Sequence, residues 1–154
     1  MLNVAIGCDH AAFECKAALA DFVKELGYSV IDFGCNTTEP CDYPDFAAAV
    51  ARAVSAGRCG YGILLCGTGI GMSIAANKVS GVRAAVCWSE DTARLSREHN
   101  DANVLCLPAR YSTVEDMKRW IKSWFATPFS GKERHLRRIE KIHSLEKTCC
   151  KGEK

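Results

Sequence analysis

No stretch of these 154 residues approaches the roughly 20 consecutive apolar positions that a membrane-spanning helix requires. The apolar opening Val4-Ala5-Ile6-Gly7 is short and has no basic flank, so no secretory leader is expected and the protein is expected in the cytosol. An excess of one charge is also lacking. The 20 Lys and Arg stand against 18 Asp and Glu, and the resulting +2 gives no reason to expect a nucleic-acid or membrane partner. Internal repeats and low-complexity linkers are absent, and the length suits one domain with a sizeable core. That domain is expected over residues 1–148, with a disordered tail at 149–154.

Cysteine, by contrast, is abundant, at ten residues. Yet no Cys-x-x-Cys pair exists, and Cys8, Cys15, Cys35, Cys41, Cys59, Cys66, Cys87 and Cys106 are scattered without ligand spacing, so no metal site is expected. Without a leader into an oxidising compartment a disulfide framework is not expected either. Most of these cysteines read as small core hydrophobes, and Cys149-Cys150 as part of the tail.

Apolar strand-like runs alternate with helix-period segments along the chain. Strands are expected at 3–7, 28–33, 61–65, 83–87 and 103–107. Helices are expected at 11–26, from Asp45 as N-cap to Gly57, at 70–78, 92–97 and 113–125, and in a charged terminal segment at 132–147. Such alternation specifies an α/β fold: a Rossmann-like three-layer α/β/α sandwich around a five-stranded parallel sheet, with the fifth strand at its edge. The C-terminal helix is extra to this pattern and is a candidate for packing on a partner subunit.

Ligands of such folds bind beyond the carboxyl ends of the strands, and four polar segments are expected there. Gly7-Cys8-Asp9-His10 closes the first strand with an acid and an imidazole, although Asp9 also suits a plain helix cap. Cys66-Gly67-Thr68-Gly69-Ile70-Gly71 closes the third, where glycines let backbone N–H groups converge on an anion at a helix start. No Gly-Lys-Ser/Thr makes it a nucleotide-binding Walker loop. Position 72 is Met72 and no arginine follows in the loop, so it is no Cys-x5-Arg phosphatase loop either. The helix dipole would favour a Cys66 thiolate, a base able to remove a proton, although a buried, inert thiol also suits this position. Ser96-Arg97-Glu98-His99-Asn100-Asp101 follows the fourth strand and offers His99 as an acid or base, or as a helix-end surface residue. Arg110 follows the fifth. Arg134 and Arg138 lie one turn apart on the terminal helix, which suits a phosphate dianion, a solvated helix face, or an acidic or nucleic-acid partner.

Together these segments, with Asp42-Tyr43-Pro44 and Ile74-Ala75-Ala76-Asn77-Lys78, resemble the type B ribose-5-phosphate isomerases and their allose- and galactose-6-phosphate relatives. The resemblance spans nearly the whole chain. It implies an aldose–ketose isomerase of the pentose phosphate pathway that works through an enediolate without metal or organic cofactor. It implies Cys66 as the base between C1 and C2, His99 for ring opening and Asp9 for sugar hydroxyls. Backbone groups of Gly67, Thr68, Gly69, Ile70 and Gly71 would hold the enediolate. His10, Arg110, Arg134 and Arg138 would hold phosphate, and Tyr43 and Asn100 the sugar. It further implies a homodimer, alone or paired into tetramers, with the His99-Asn100 and Arg110 segments crossing to the neighbouring site. A six-carbon sugar-phosphate isomerase and, more distantly, a phosphate-binding signalling module are the alternatives.

Overall fold

Alternate residues of each central strand face opposite layers, and both faces are apolar. The computed structural model describes residues 1–149, with side chains through Lys147; the rest of the expected tail lies outside the described residues. The strands are β1 (Asn3–Cys8), β2 (Ser29–Asp32), β3 (Tyr61–Cys66), β4 (Ala84–Val86) and β5 (Val104–Pro108). The helices are α1 (Phe13–Glu25), α2 (Tyr43–Ser55), α3 (Ile70–Ala76), α4 (Glu90–Asn100), α5 (Val114–Ala126) and α6 (Glu133–Cys149). All strand pairs are parallel. Val4, Ile6, Ile63, Leu65, Leu105 and Leu107 pack on one side against Leu19 and Val23 of α1, Ala93 of α4, and Met117, Ile121 and Trp124 of α5. Ala5, Leu64, Val104 and Cys106 face the other side, against Val50 and Val54 of α2 and Met72 and Ala76 of α3. The expected three-layer α/β/α sandwich is therefore the fold.

Strand order corrects one expectation. The sheet runs β2-β1-β3-β5-β4, so β4 forms the edge and β5 lies inside. Burial explains the exchange. All five residues of β5 are buried, whereas Ala84, Ala85 and Val86 of β4 are only half-buried. A continuous apolar run belongs between two neighbours, and a three-residue strand of small side chains suits an edge.

Helix starts follow local chemistry. Ser89 and Thr113 close capping boxes with Thr92 and Asp116. The N-cap of α2 is Asp42 rather than Asp45; Pro44 sits in the first turn, where its missing N–H costs nothing, and Asp45 places its charge there. Helix α6 buries His135 and Ile139 and leaves Leu136, Ile142 and Leu145 exposed.

Candidate active site

The third strand delivers Cys66 to the sheet's carboxyl end, and the turn after it bends sharply. Gly69 adopts φ +74°, a left-handed conformation that favours glycine, and its N–H donates to the Cys66 sulfur at 3.1 Å. Eight cysteines have described thiols, and the Cys66 sulfur accepts this backbone N–H at the mouth of the glycine turn. Others are spent in the core: burial pushes the Cys8 thiol up to about 12 and the Cys87 thiol to about 11, leaving both inert near neutrality.

Neighbouring strand ends complete this cluster. Asp9 donates its N–H to the Leu65 carbonyl at 3.2 Å, and its Oδ1 accepts from Ala11 N at 3.0 Å. It does cap the 3₁₀ turn His10–Ala12, but with one oxygen only. His10 accepts the Cys41 N–H at Nδ1 (3.3 Å), which puts its own proton on Nε2. The Tyr43 ring lies across the loop so closely that a Cβ on Gly71 would stand 2.6 Å from it. Arg110 donates its N–H to the Gly67 carbonyl at 3.0 Å, and its Cδ lies 3.1 Å from where a Gly67 Cβ would be.

His99 and Asn100 lie elsewhere. They end α4, and a helix that leaves the carboxyl end of β4 must return to the start of the next strand. The contacts show that it does. Asp101, at φ 45°, caps α4 and binds Arg97 at 2.7 Å and Arg83 at 3.0 Å. Arg83 immediately precedes β4, and buried Arg97 reaches the hydroxyl of Tyr61, the first residue of β3, at 3.3 Å. Arg83 also donates from Nε to the Asn100 carbonyl at 3.0 Å. The loop before α6 joins in, as Ser130 N–H donates to the Glu98 carbonyl at 3.0 Å. On α6, Arg134 Nε donates to His135 Nε2 at 3.1 Å, and the His135 ring lies 4.3 Å from that of His99. Arg138 follows one turn later and is exposed.

Two expectations are thereby corrected. His99 is not at the carboxyl ends of the strands but at their starts, a strand's length from Cys66, or roughly 15–20 Å. Arg110 does not travel with His99: it packs on the Cys66 loop of its own chain. The chain thus carries two polar clusters: Asp9, His10, Tyr43, the 66–71 loop and Arg110 at one end, and His99, Asn100, Arg134 and Arg138 at the other.

Sequence reasoning passed over Arg83, Asp101, Ser130 and His135, which build the second cluster. For Asp101 and His135 the signal was positional, since each adjoins a candidate residue at a helix end; Arg83, before β4, and Ser130, in the loop before α6, carried none. Lys16 was also missed; it is buried in α1 and pins the loop after β2 through Asp32 at 2.8 Å and the Cys35 carbonyl at 3.0 Å. Among the described residues, no three His, Cys, Asp or Glu side chains converge as they would to hold a metal ion, and no helix is long and apolar enough to cross a membrane. A cavity of about 600 Å³ opens beside β4, lined by Val82, Ala85, Asn100, Ile142 and Leu145 among others, and contains none of the Cys66 cluster.

Comparison with known proteins converges on one family. The sequence model described as Ribose/Galactose Isomerase matches residues 4–142. Ribose-5-phosphate isomerase B of Escherichia coli is 44% identical over 146 residues, covering 95% of this chain and 97% of that protein. The structure of the Trypanosoma cruzi type B enzyme superposes with a TM-score of 0.93 at 50% identity, over 96% of this chain and 98% of that one. That of the Mycoplasma genitalium enzyme, with bound ribulose-5-phosphate, gives 0.91 at 42% identity, over 95% and 97%. A thiol-bearing glycine turn inside an α/β/α sandwich, matched over nearly its full length, makes this chain a member of the ribose/galactose isomerase family.

Proposed function

We propose that the protein interconverts ribose 5-phosphate and ribulose 5-phosphate through a cis-enediolate, with each active site assembled from two copies of the chain. The observation that carries this reading is the Cys66 sulfur lying under the Gly69 N–H at the mouth of a glycine turn. Aldose–ketose isomerisation needs a base beside a carbon acid and donors where negative charge develops. In this reading the Cys66 thiolate takes the C2 proton and returns it to C1, while the O2 hydroxyl proton passes to O1. Backbone N–H groups of the 67–71 turn hold the enediolate oxygen. Asp9 has an oxygen left for sugar hydroxyls, and Tyr43 walls the sugar. His10 presents its Nε2–H, and Arg110 its guanidinium, to the phosphate.

His99, Asn100, Arg134 and Arg138 enter from a second copy. His99 protonates the ring oxygen as the furanose opens, Asn100 contacts the sugar, and the arginines take the far side of the phosphate. Two features support the second copy. The His99 cluster cannot reach Cys66 within one chain. Ile70 and Ile74 of α3, Trp88 after β4 and Leu145 of α6 are each more than half exposed, apolar side chains that a second copy could cover. The family members compared above also carry this activity in their names.

The direct test is conversion of ribose 5-phosphate by the purified protein with a chelator present. Turnover is expected. Failure on ribose 5-phosphate, with turnover of allose or galactose 6-phosphate, would move the protein to the six-carbon branch.

A further inference from the structure

The second cluster contains a histidine that no step of the proposed reaction uses. His135 is 2% exposed, and both its ring nitrogens are committed. Nε2 accepts from Arg134 Nε at 3.1 Å, so it carries no proton. The proton therefore sits on Nδ1, which donates to Ser130 Oγ at 2.7 Å. Ser130 is itself tied to α4, its N–H donating to the Glu98 carbonyl at 3.0 Å. The face of the His135 ring rests on His99, centroid to centroid 4.3 Å with 44° between planes.

We infer that His135 is a positioning residue: a buried, neutral imidazole that fixes Arg134 for phosphate and supports His99 beside it. This inference rests on the proposed sugar-phosphate reaction and deepens it. The chemistry requires neutrality. An imidazolium has no lone pair for Arg134 and would stand among Arg134 and Arg138 of α6, Lys132 before it, and His99 of α4. Burial first, and then those neighbours, lower its pKa from the usual 6.5. By occupying Arg134 Nε, His135 leaves the two terminal nitrogens of that guanidinium for a bidentate grip on phosphate. An arginine freed of this contact keeps its charge but loses its aim. An exposed side chain on a surface helix would then spend rotamer entropy on each binding event.

The test separates aim from fold. His135→Phe keeps a ring against His99 but offers Arg134 no acceptor. It is expected to raise KM for ribose 5-phosphate, and the inhibition constant of inorganic phosphate, together by roughly tenfold, with a much smaller change in kcat. His135→Gln, whose amide oxygen can reach the Nε2 position, should recover most of that loss. In an Arg134→Ala background, His135→Phe should add almost nothing, because its effect passes through the arginine. Equal KM increases in the Phe and Gln variants, or full additivity with Arg134→Ala, would overturn the inference and leave the proposed reaction standing. An unchanged KM in Arg134→Ala would instead overturn the phosphate role of Arg134 itself, and the inference with it. Should His135→Phe fail to fold, ¹⁵N spectra of the wild-type imidazoles decide. At neutral pH His135 is expected as the neutral Nδ1–H tautomer, and the opposite tautomer or a charged ring would refute it.

Discussion

The two ends of this sheet are built from different materials. At the carboxyl end the structure is made of backbone: Asp9 N–H to Leu65, Gly69 N–H to Cys66, Ala109 N–H to the Cys66 carbonyl at 2.9 Å and Arg110 N–H to Gly67. Glycine lets those loops approach one another and lets Tyr43 and Arg110 lie across them. At the opposite end the helices return to the sheet, their own carbonyls and amides mostly consumed. There the geometry is held by side chains: Arg83 and Arg97 on Asp101, and His135 between Arg134 and Ser130. A strand end offers free donors for an anionic intermediate, and the proposed reaction puts its bond-making chemistry there. A helix end offers projected side chains and suits ring opening and charge recognition. The first end should be vulnerable to added atoms, the second to lost polar partners.

The largest effect should come from the base. Cys66→Ala is expected to keep its melting temperature within a few degrees and to lose roughly 10²–10⁴-fold in kcat. Thiol alkylation should inactivate the enzyme, with substrate protecting it. Near-wild-type turnover in Cys66→Ala would remove the distinction between the two ends, since nothing else in the 67–71 turn is a carbon base.

The next test asks whether the ends meet across chains. Inactive Cys66→Ala protein is mixed with a variant carrying both His99→Asn and Arg134→Ala. Each hybrid dimer then has one site with every wild-type group and one with none, so activity should recover to about one quarter of wild type after free exchange. Mixing Cys66→Ala with a variant carrying Asp9→Asn and Arg110→Ala should recover nothing, because all three residues lie at one end of one chain. Mixing Cys66→Ala with Arg110→Ala alone should likewise recover nothing, and recovery there alongside the first mixture would regroup Arg110 with His99.

How the sequence misled on Arg110 and His99 is instructive. Alternation of runs gave the elements and the sandwich, because burial on two faces leaves its mark residue by residue. Strand order is not written that way, and the default order put β5 outside. The clue was present in Val104-Leu105-Cys106-Leu107, too apolar for an edge, beside the modest Ala84-Ala85-Val86. His99 follows β4 in sequence, but α4 is 11 residues long, and at about 1.5 Å per residue it carries His99 back across the sheet. Cys66, by contrast, was legible because the glycine turn is adjacent both in sequence and in space. His135 hid in a helical stripe with Ile139, where a core residue is the ordinary reading.

A smaller effect sharpens the claim about added atoms. In Gly71→Ala the new methyl would press on the Tyr43 ring at 2.6–2.7 Å, so the ring must swing off the loop. KM is expected to rise roughly three- to tenfold while kcat changes less. The same substitution in a Tyr43→Ala background should be nearly silent, since the clash has gone. A Gly71→Ala penalty that persists without Tyr43 would mean that backbone freedom, not ring contact, is what position 71 requires.

The smallest effect concerns acid and belongs to the other end. His135 has a native pKa below 6.5, lowered first by burial and then by His99, Arg134, Arg138 and Lys132. Above pH 6.5 the imidazole is neutral in both folded and unfolded chains, and the native contacts operate in full. As pH falls below 6.5 the unfolded chain takes up a proton there that the native chain refuses, so unfolding is favoured. Stability is lost until pH reaches the lowered native value, below which both states are charged and this contribution to the slope ends. Wild-type Tm should therefore fall more steeply than that of His135→Phe as pH drops below 6.5. The remaining histidines are common to both proteins and cancel in the comparison. Parallel Tm curves there would show that His135 titrates as an ordinary histidine, and the side-chain lattice at this end would then owe nothing to a neutral imidazole.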